Sequence, residues 1–162
     1  MKLDMPCERR SFLKVAACFT LSAAALGLSA TDTSALPIEE GEGAQAGNEV
    51  RFPMPAADGV TIDRKVQVII VRYQSHVYAF NLACPHENNV LKWLPKDGRF
   101  QCTKHDSQYT PVGTYTSGRA TRNMDRLGVR KEGNTLVVDL NKFYQSDKDT
   151  AGWTTATVAL SP

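Results

Sequence analysis

The chain has 162 residues, which is enough for one domain of ordinary size and too few for two well-filled cores. Its formal net charge is +2, and residues 1–30 hold four of the 19 basic and two of the 17 acidic residues, so the rest of the chain is neutral. A neutral body gives no basis for nucleic-acid binding. The length indicates one domain with terminal extensions.

Residues 1–30 resemble a twin-arginine export signal. Arg9 and Arg10, in the stretch ERRSFLK, precede an apolar, Ala-rich run over Val15–Leu28, and Leu28-Ser29-Ala30 is similar to a cleavage site. The run is shorter than the roughly 20 residues that a transmembrane helix needs. The alternatives are a Sec-type signal or an uncleaved membrane anchor. We therefore expect a periplasmic protein, either free or tethered to the inner membrane.

Residues 31–48 are rich in Thr, Ser, Gly, Ala and Glu, a composition typical of a flexible linker. Strand signals follow it. The stretches VQVIIVR (66–72) and VYAFNL (77–82), separated by YQSH, predict a β-hairpin. The next apolar stretch, NNVLKWL (88–94), is compatible with one or two helical turns.

Two loops after the first hairpin carry metal-ligand residues in the spacing C-x-H-x15-C-x2-H. Cys84 and His86 stand in ACPHENN, and Cys102 and His105 stand in CTKHDS. Each loop therefore offers one thiolate and one imidazole. A Rieske centre needs two Cys on one iron and two His on the other, whereas zinc fingers group two Cys in one knuckle and two His in the other. The mixed pairing favours the iron–sulfur centre, although a tetrahedral zinc site is also chemically consistent.

A second hairpin follows, formed by RLGVRK, a turn at Glu132-Gly133-Asn134, and TLVVDL (135–140). Its alternation predicts that Leu127 and Val129 face a core while Arg126 and Arg130 face solvent. The extension over 141–162 contains three aromatic residues that either pack back on the sheet or meet a partner. With the first hairpin, these signals predict a mostly β fold.

From Val66 to Leu140 the chain resembles a Rieske iron–sulfur domain. The resemblance implies an antiparallel β-sheet domain over residues 49–140, with a two-loop subdomain that binds a [2Fe-2S] cluster. It implies that Cys84 and Cys102 bind one iron, and that His86 and His105 bind the other.

Two further residues match the second-loop pattern of that family. Ser107 stands at the position whose hydroxyl donates to a bridging sulfide, and Tyr109 at the position whose hydroxyl donates to a ligating sulfur. Both interactions stabilise the reduced, more negative cluster. The resemblance therefore implies that these hydroxyls tune the reduction potential.

The chain departs from the quinol-oxidising members of the family in its loops. Those relatives carry an additional disulfide, whose positions correspond here to about Asn89 and Lys104. Glu87 replaces the apolar residue that follows their first His ligand. The loop that covers their cluster corresponds to Gly118–Thr121 and lacks its prolines. These changes weigh against quinol docking and leave cluster binding intact.

The resemblance implies one-electron transfer by a subunit of a membrane-associated respiratory or photosynthetic oxidoreductase. The first expectation is a quinol–cytochrome c reductase-like complex, with a cytochrome subunit and quinol as partners. One alternative is the small relay subunit of a periplasmic molybdenum oxidoreductase similar to arsenite oxidase, and another is a non-redox zinc module. The sequence shows no catalytic residues and no substrate site of its own.

Overall fold

The computed structural model describes residues 36–41 and 43–160, so the predicted signal over 1–30 lies outside the described residues. Within the described residues, no helix is long and apolar enough to cross a membrane. The described strands, in chain order, are β1 (Ile38–Glu40), β2 (Ala44–Ala46), β3 (Glu49–Pro53), β4 (Gly59–Asp63), β5 (Val68–Tyr73), β6 (His76–Asn81), β7 (Leu91–Leu94), β8 (Arg99–Cys102), β9 (Gln108–Tyr109), β10 (Tyr115–Ser117), β11 (Arg126–Glu132), β12 (Thr135–Tyr144) and β13 (Val158–Ala159).

A large sheet has the strand order β1-β4-β5-β6-β11-β12-β3-β2, with β13 also paired to β6. Its pairs are antiparallel except β1 with β4. Because only residues 41–43 separate β1 from β2, the two ends of the sheet lie within about 14 Å of each other. The Gly43 amide donates to the Asp63 carboxylate at 2.7 Å, which ties this connection to the end of β4. The large sheet is therefore curled.

Both faces of the central strand β5 are covered. Val68 and Ile70 pack into an apolar cluster with residues of β3, β6, β11 and β12. Ile69 and Val71 point the other way, into a second cluster that also holds residues of β7, β8 and β9. Alternate residues of a strand face opposite sides, so burial on both sides explains the uninterrupted apolar run. Each such side chain contributes roughly 1.5–3 kcal/mol of burial free energy.

The small sheet, in the order β10-β9-β8-β7, carries one of the ligand-bearing loops. Leu91, Trp93 and Phe100 bury one face of it against the large sheet. The prediction of a helical turn over 88–94 is wrong, because Leu91–Leu94 is strand β7 and pairs with β8. Leu91 and Trp93 are buried while Lys92 is exposed, so the segment has the period of a strand.

Both predicted hairpins are confirmed. β5 pairs with β6 through a turn in which Gln74 and Ser75 have φ of 48° and 61°, which suits the twist of a two-residue hairpin. β11 pairs with β12 through Gly133, whose φ is 60°. The mostly β fold expected from these patterns is therefore present.

Arg126 does not face solvent as the alternation predicts, since only 4% of the residue is exposed. Its guanidinium lies 3.7 Å from the centre of the Trp153 ring and donates to the carbonyls of Val112 and Trp153. Burial lowers the pKa of Arg126 to about 10, so it is still charged at neutral pH. The aromatic ring and the carbonyl oxygens take the place of water around the charge.

The C-terminal extension packs on the domain. It contains a helix, α1 (Thr150–Thr155), and strand β13, which pairs with β6. The Trp153 indole donates to the Met124 carbonyl at 2.7 Å. Of the two alternatives that the sequence left open for these aromatic residues, Trp153 therefore follows the first.

Part of the segment predicted as a linker is ordered. Residues 38–40 and 44–46 form β1 and β2, which pair with β4 and β3. Neither strand has strong β propensity of its own, because their sequences are Ile-Glu-Glu and Ala-Gln-Ala. Pairing with strands that follow later in the chain supplies the order that local sequence does not indicate.

Candidate metal centre

The first ligand-bearing loop follows β6 and is closed by its own backbone. The Cys84 amide donates to the Asn89 carbonyl at 2.7 Å, and the Asn88 amide donates to the Cys84 carbonyl at 2.9 Å. Asn88 has φ of 54°, a left-handed conformation that Asn adopts more readily than most residues. These bonds restrict the backbone on both sides of His86.

The second loop follows β8, whose last residue is Cys102. The Cys102 amide donates to the Ser107 carbonyl at 2.8 Å, which closes the turn that carries His105. The Thr103 amide donates to the Val90 carbonyl at 3.1 Å and so joins this loop to the first. The two predicted ligand pairs are therefore presented by loops in direct contact.

The thiols and the imidazoles lie at different depths. Cys84 and Cys102 are free cysteines that are 0% and 1% exposed, within the apolar cluster shared by the two sheets. The side chains of His86 and His105 are 24% and 12% exposed, and their ring centres lie 5.0 Å apart. The site therefore has an inner thiol side and an outer imidazole side.

The histidine rings leave one nitrogen each without a partner. The Nδ1 atoms of His86 and His105 are buried and make no hydrogen bond within the described part of the chain. A buried polar atom without a partner carries a cost of about 1–3 kcal/mol, which a metal ligand bond would remove. Two thiols and two imidazole nitrogens are also the donor set that a Rieske cluster uses. The residues present thus fit such a cluster.

The environment of the Cys84 thiol favours its protonated form. Burial raises the pKa of the Cys84 thiol, a hydrogen bond with Tyr109 opposes that rise, and the neighbouring Cys102 adds to it. Because a metal binds the thiolate, binding at this position releases a proton.

Both hydroxyls predicted to tune the site are buried beside it. The Tyr109 Oη atom lies 3.3 Å from Cys84 Sγ. Burial, and then the contact with Cys84, raise the pKa of Tyr109, so its proton is available to the sulfur. Ser107 Oγ accepts a hydrogen bond from the Ala120 amide at 3.0 Å, and its hydroxyl also interacts with Tyr109, which lowers the pKa of that phenol.

Gly118 holds a third loop against the site and was not singled out in the sequence as a conformational requirement. Its φ is 102°, and a Cβ atom at this position would collide with the backbone of Ser107. The Tyr115 hydroxyl donates to the Gly118 carbonyl at 2.7 Å. The absence of a side chain therefore allows the loop at 118–121 to pack on the second ligand loop.

Glu87 lies over the outer imidazole side. One carboxylate oxygen is 3.9 Å from His86 Nε2 and the other is 3.5 Å from His105 Nε2. Half of the Glu87 side chain is exposed. The sequence identified Glu87 as a charge beside the first His, but it gave no sign that the carboxylate spans both rings.

Comparison with known proteins identifies the family of the chain. A family model described as "Rieske [2Fe-2S] domain" matches residues 49–138. The solved structure of the cyanobacterial plasma membrane Rieske protein PetC3 from Synechocystis PCC 6803 matches at 23% identity with a TM-score of 0.42, covering 57% of this chain and 86% of that chain. The comparison with curated proteins gives no match. The chain belongs to the Rieske [2Fe-2S] family, whose domain binds an iron–sulfur cluster that transfers electrons.

Proposed function

We propose that this protein is an exported one-electron carrier whose cluster is held by two thiolates and two imidazoles. Cys84 and Cys102 bind one iron, and His86 and His105 bind the other through Nδ1. The observation that carries this assignment is the pair of buried Nδ1 atoms that find no partner among residues 36–41 and 43–160, on loops that also hold two buried free thiols. Bound there, the cluster stores and releases one electron at a time.

Electrons enter and leave through the outer imidazole side. The thiol side lies in the apolar cluster between the sheets, with Tyr109 and Phe100 fully buried around it. The two histidines are the ligands with exposed surface. A redox partner therefore approaches the site at these rings.

Glu87 favours a protein partner over a quinol at this edge. A quinol pocket is apolar, and moving a carboxylate into it without a counter-charge is costly. A protein interface with polar surface places no such demand on Glu87, half of whose side chain is exposed. We therefore favour the electron-relay subunit of a periplasmic oxidoreductase, with a molybdenum or cytochrome subunit as partner.

A quinol–cytochrome c reductase-like complex is the second candidate, and the hydroxyls favour it. Tyr109, whose hydroxyl contacts Cys84 Sγ, and Ser107, which is also buried there, would stabilise the reduced state by donating hydrogen bonds and so raise the potential. A raised potential is what oxidation of a quinol requires.

We also propose that the protein is exported by the twin-arginine route. The cluster is inserted in the cytoplasm and the twin-arginine route carries folded proteins, so Arg9 and Arg10 would deliver the protein with its cluster. Replacing both by Lys is expected to leave cluster-bearing protein in the cytoplasm, as measured by fractionation and electron paramagnetic resonance. Undiminished periplasmic delivery of the variant would contradict the twin-arginine assignment.

One experiment separates the two candidate partners. In native membranes, the resonance of the reduced cluster is followed while a quinol analogue, and then an inhibitor of quinol oxidation, is added. The relay assignment predicts that quinol alone does not reduce the cluster and that the inhibitor leaves the line shape unchanged. Rapid reduction by quinol with an altered line shape would replace it with the quinol-oxidising assignment. Identification of the subunits that co-purify names the partner.

A further inference from the structure

Glu87 is held at the outer edge of the site by the backbone of its loop. Closure of the loop through Cys84, Asn88 and Asn89 brackets it, and the Asn89 side-chain amide donates to the Glu87 carbonyl at 3.4 Å. The two Glu87 carboxylate oxygens face different rings, one toward each Nε2 atom. The carboxylate thus spans the edge at which the proposed function places electron exchange.

Ligation at Nδ1 fixes where the remaining ring proton lies. A neutral imidazole that binds iron through Nδ1 carries its proton on Nε2. At His105 this proton faces a carboxylate oxygen at 3.5 Å, and at His86 one at 3.9 Å, separations that a small side-chain rotation brings to hydrogen-bond length. Carboxylates that accept from the far nitrogen of a ligating His orient the ring and increase its basicity.

We propose, resting on the ligand assignment above, that Glu87 is a positioning and specificity residue for electron exchange. It accepts hydrogen bonds from the Nε2–H groups of His86 and His105, which lowers the reduction potential of the cluster. It also places a negative charge next to both imidazole rings at the exchange edge. The partner that this edge fits is a protein whose own redox centre is ringed by Lys and Arg.

Both effects follow from the negative charge of the Glu87 carboxylate. A carboxylate within 4 Å of both rings opposes the addition of an electron, because the reduced cluster is more negative. The same charge attracts cationic reactants and repels anionic ones, and salt weakens this discrimination. The reduction potential and the preference for cationic over anionic reactants are therefore two independent measures of the effect of Glu87.

The test compares Glu87→Gln with Glu132→Gln in the full-length protein that carries its cluster. Glu132 lies at the distant β11–β12 turn and pairs with Arg51 and Arg130, so its variant removes the same charge away from the site. Potentials come from redox titration of the cluster resonance. Pulsed resonance measures the coupling to the imidazole nitrogens. Oxidation rates are measured with cationic tris(phenanthroline)cobalt(III) and anionic ferricyanide.

Glu87→Gln is expected to raise the potential, to change the nitrogen couplings, and to lower the cation-to-anion rate ratio several-fold at low salt. A raised cluster potential lowers the driving force for oxidation by both reagents, so the ratio of the two rates cancels this effect. Glu132→Gln is expected to leave all three close to the parent values. Glu87→Leu should change the potential and the ratio in the same direction as Glu87→Gln and serves as the second variant.

The inference is overturned if the potential or the rate ratio of Glu87→Gln and Glu87→Leu matches that of Glu132→Gln. That result would leave the cluster assignment standing, because every variant would still show the cluster resonance. Failure of the proposed ligand set would look different, since the parent protein itself would then lack nitrogen-coupled iron.

Discussion

The two sides of the site differ in their exposure and in what surrounds them. On the inner side, Cys84 and Cys102 lie among apolar residues, and a buried Tyr hydroxyl contacts one sulfur. On the outer side, His86 and His105 are partly exposed beneath a carboxylate. The comparison supports the proposal that both sides supply ligands, with the inner side shielding the cluster from solvent and the outer side exchanging electrons.

Removing one ligand should have the largest effect, because the proposed ligand set draws on both loops. Cys84→Ser and His105→Ala are each expected to abolish the [2Fe-2S] resonance and to leave little bound iron after purification. His76→Ala is the matched control, since His76 lies at the start of β6 with Nδ1 near the Gln74 carbonyl. The iron and sulfide contents of the two ligand variants are compared with those of His76→Ala. Full cluster content in His105→Ala would contradict the assignment of His105 as a ligand.

A smaller effect is expected at Gly118, which packs against the second ligand loop. Gly118→Ala forces a side chain into a left-handed conformation and into the Ser107 backbone, and we expect a cost of about 2–4 kcal/mol in unfolding free energy. Gly133→Ala is the control, because its φ is also positive but its Cβ would meet nothing. That change should cost only about 1 kcal/mol.

Chemical denaturation of the two glycine variants measures this difference. Gly118→Ala should also release iron more readily than Gly133→Ala, because the strain falls on the loop that carries Cys102 and His105. Equal stabilities in the two variants would show that the third loop does not constrain the site.

The smallest effect should come from the hydroxyl on the inner side. Tyr109→Phe removes one hydrogen bond to a ligating sulfur and should lower the potential by roughly 40 mV, the equivalent of ~1 kcal/mol for a one-electron couple. Ser107→Ala should act in the same direction, with iron retained in both variants. Tyr144→Phe, at the end of β12, serves as the control. If redox titrations give the same potential for the parent protein and all three variants, the two hydroxyls do not tune the cluster.

The sequence was sufficient where the signal is local. An apolar run in the first hairpin, alternating residues in the second and turn residues in both predicted the two hairpins, and the mixed Cys/His spacing predicted the chemistry of the donor set. Strand β7 was misassigned as a helical turn, although the alternation of Leu91, Lys92 and Trp93 indicates a strand. The local sequence of this segment therefore contains enough information to predict the strand.

Other features depend on residues far apart in the chain. Arg126 is buried because Trp153 and the Val112 carbonyl meet its guanidinium, and its local pattern gives no sign of them. β1 gains its order from β4, about 20 residues later. Glu87 spans two rings only because the folded loops bring His105 next to His86. Tertiary placement of this kind is not encoded in short-range periodicity.

The most direct test of the proposed ligand set is pulsed electron paramagnetic resonance of the reduced protein labelled with ¹⁵N in its histidines. We expect direct coupling of the cluster to Nδ1 of two histidines in the parent protein and in His76→Ala, and loss of the cluster resonance in His86→Ala and His105→Ala. Iron and sulfide should be present in [2Fe-2S] stoichiometry. A cluster without histidine coupling, or a single stoichiometric zinc in protein from its native host, would contradict it.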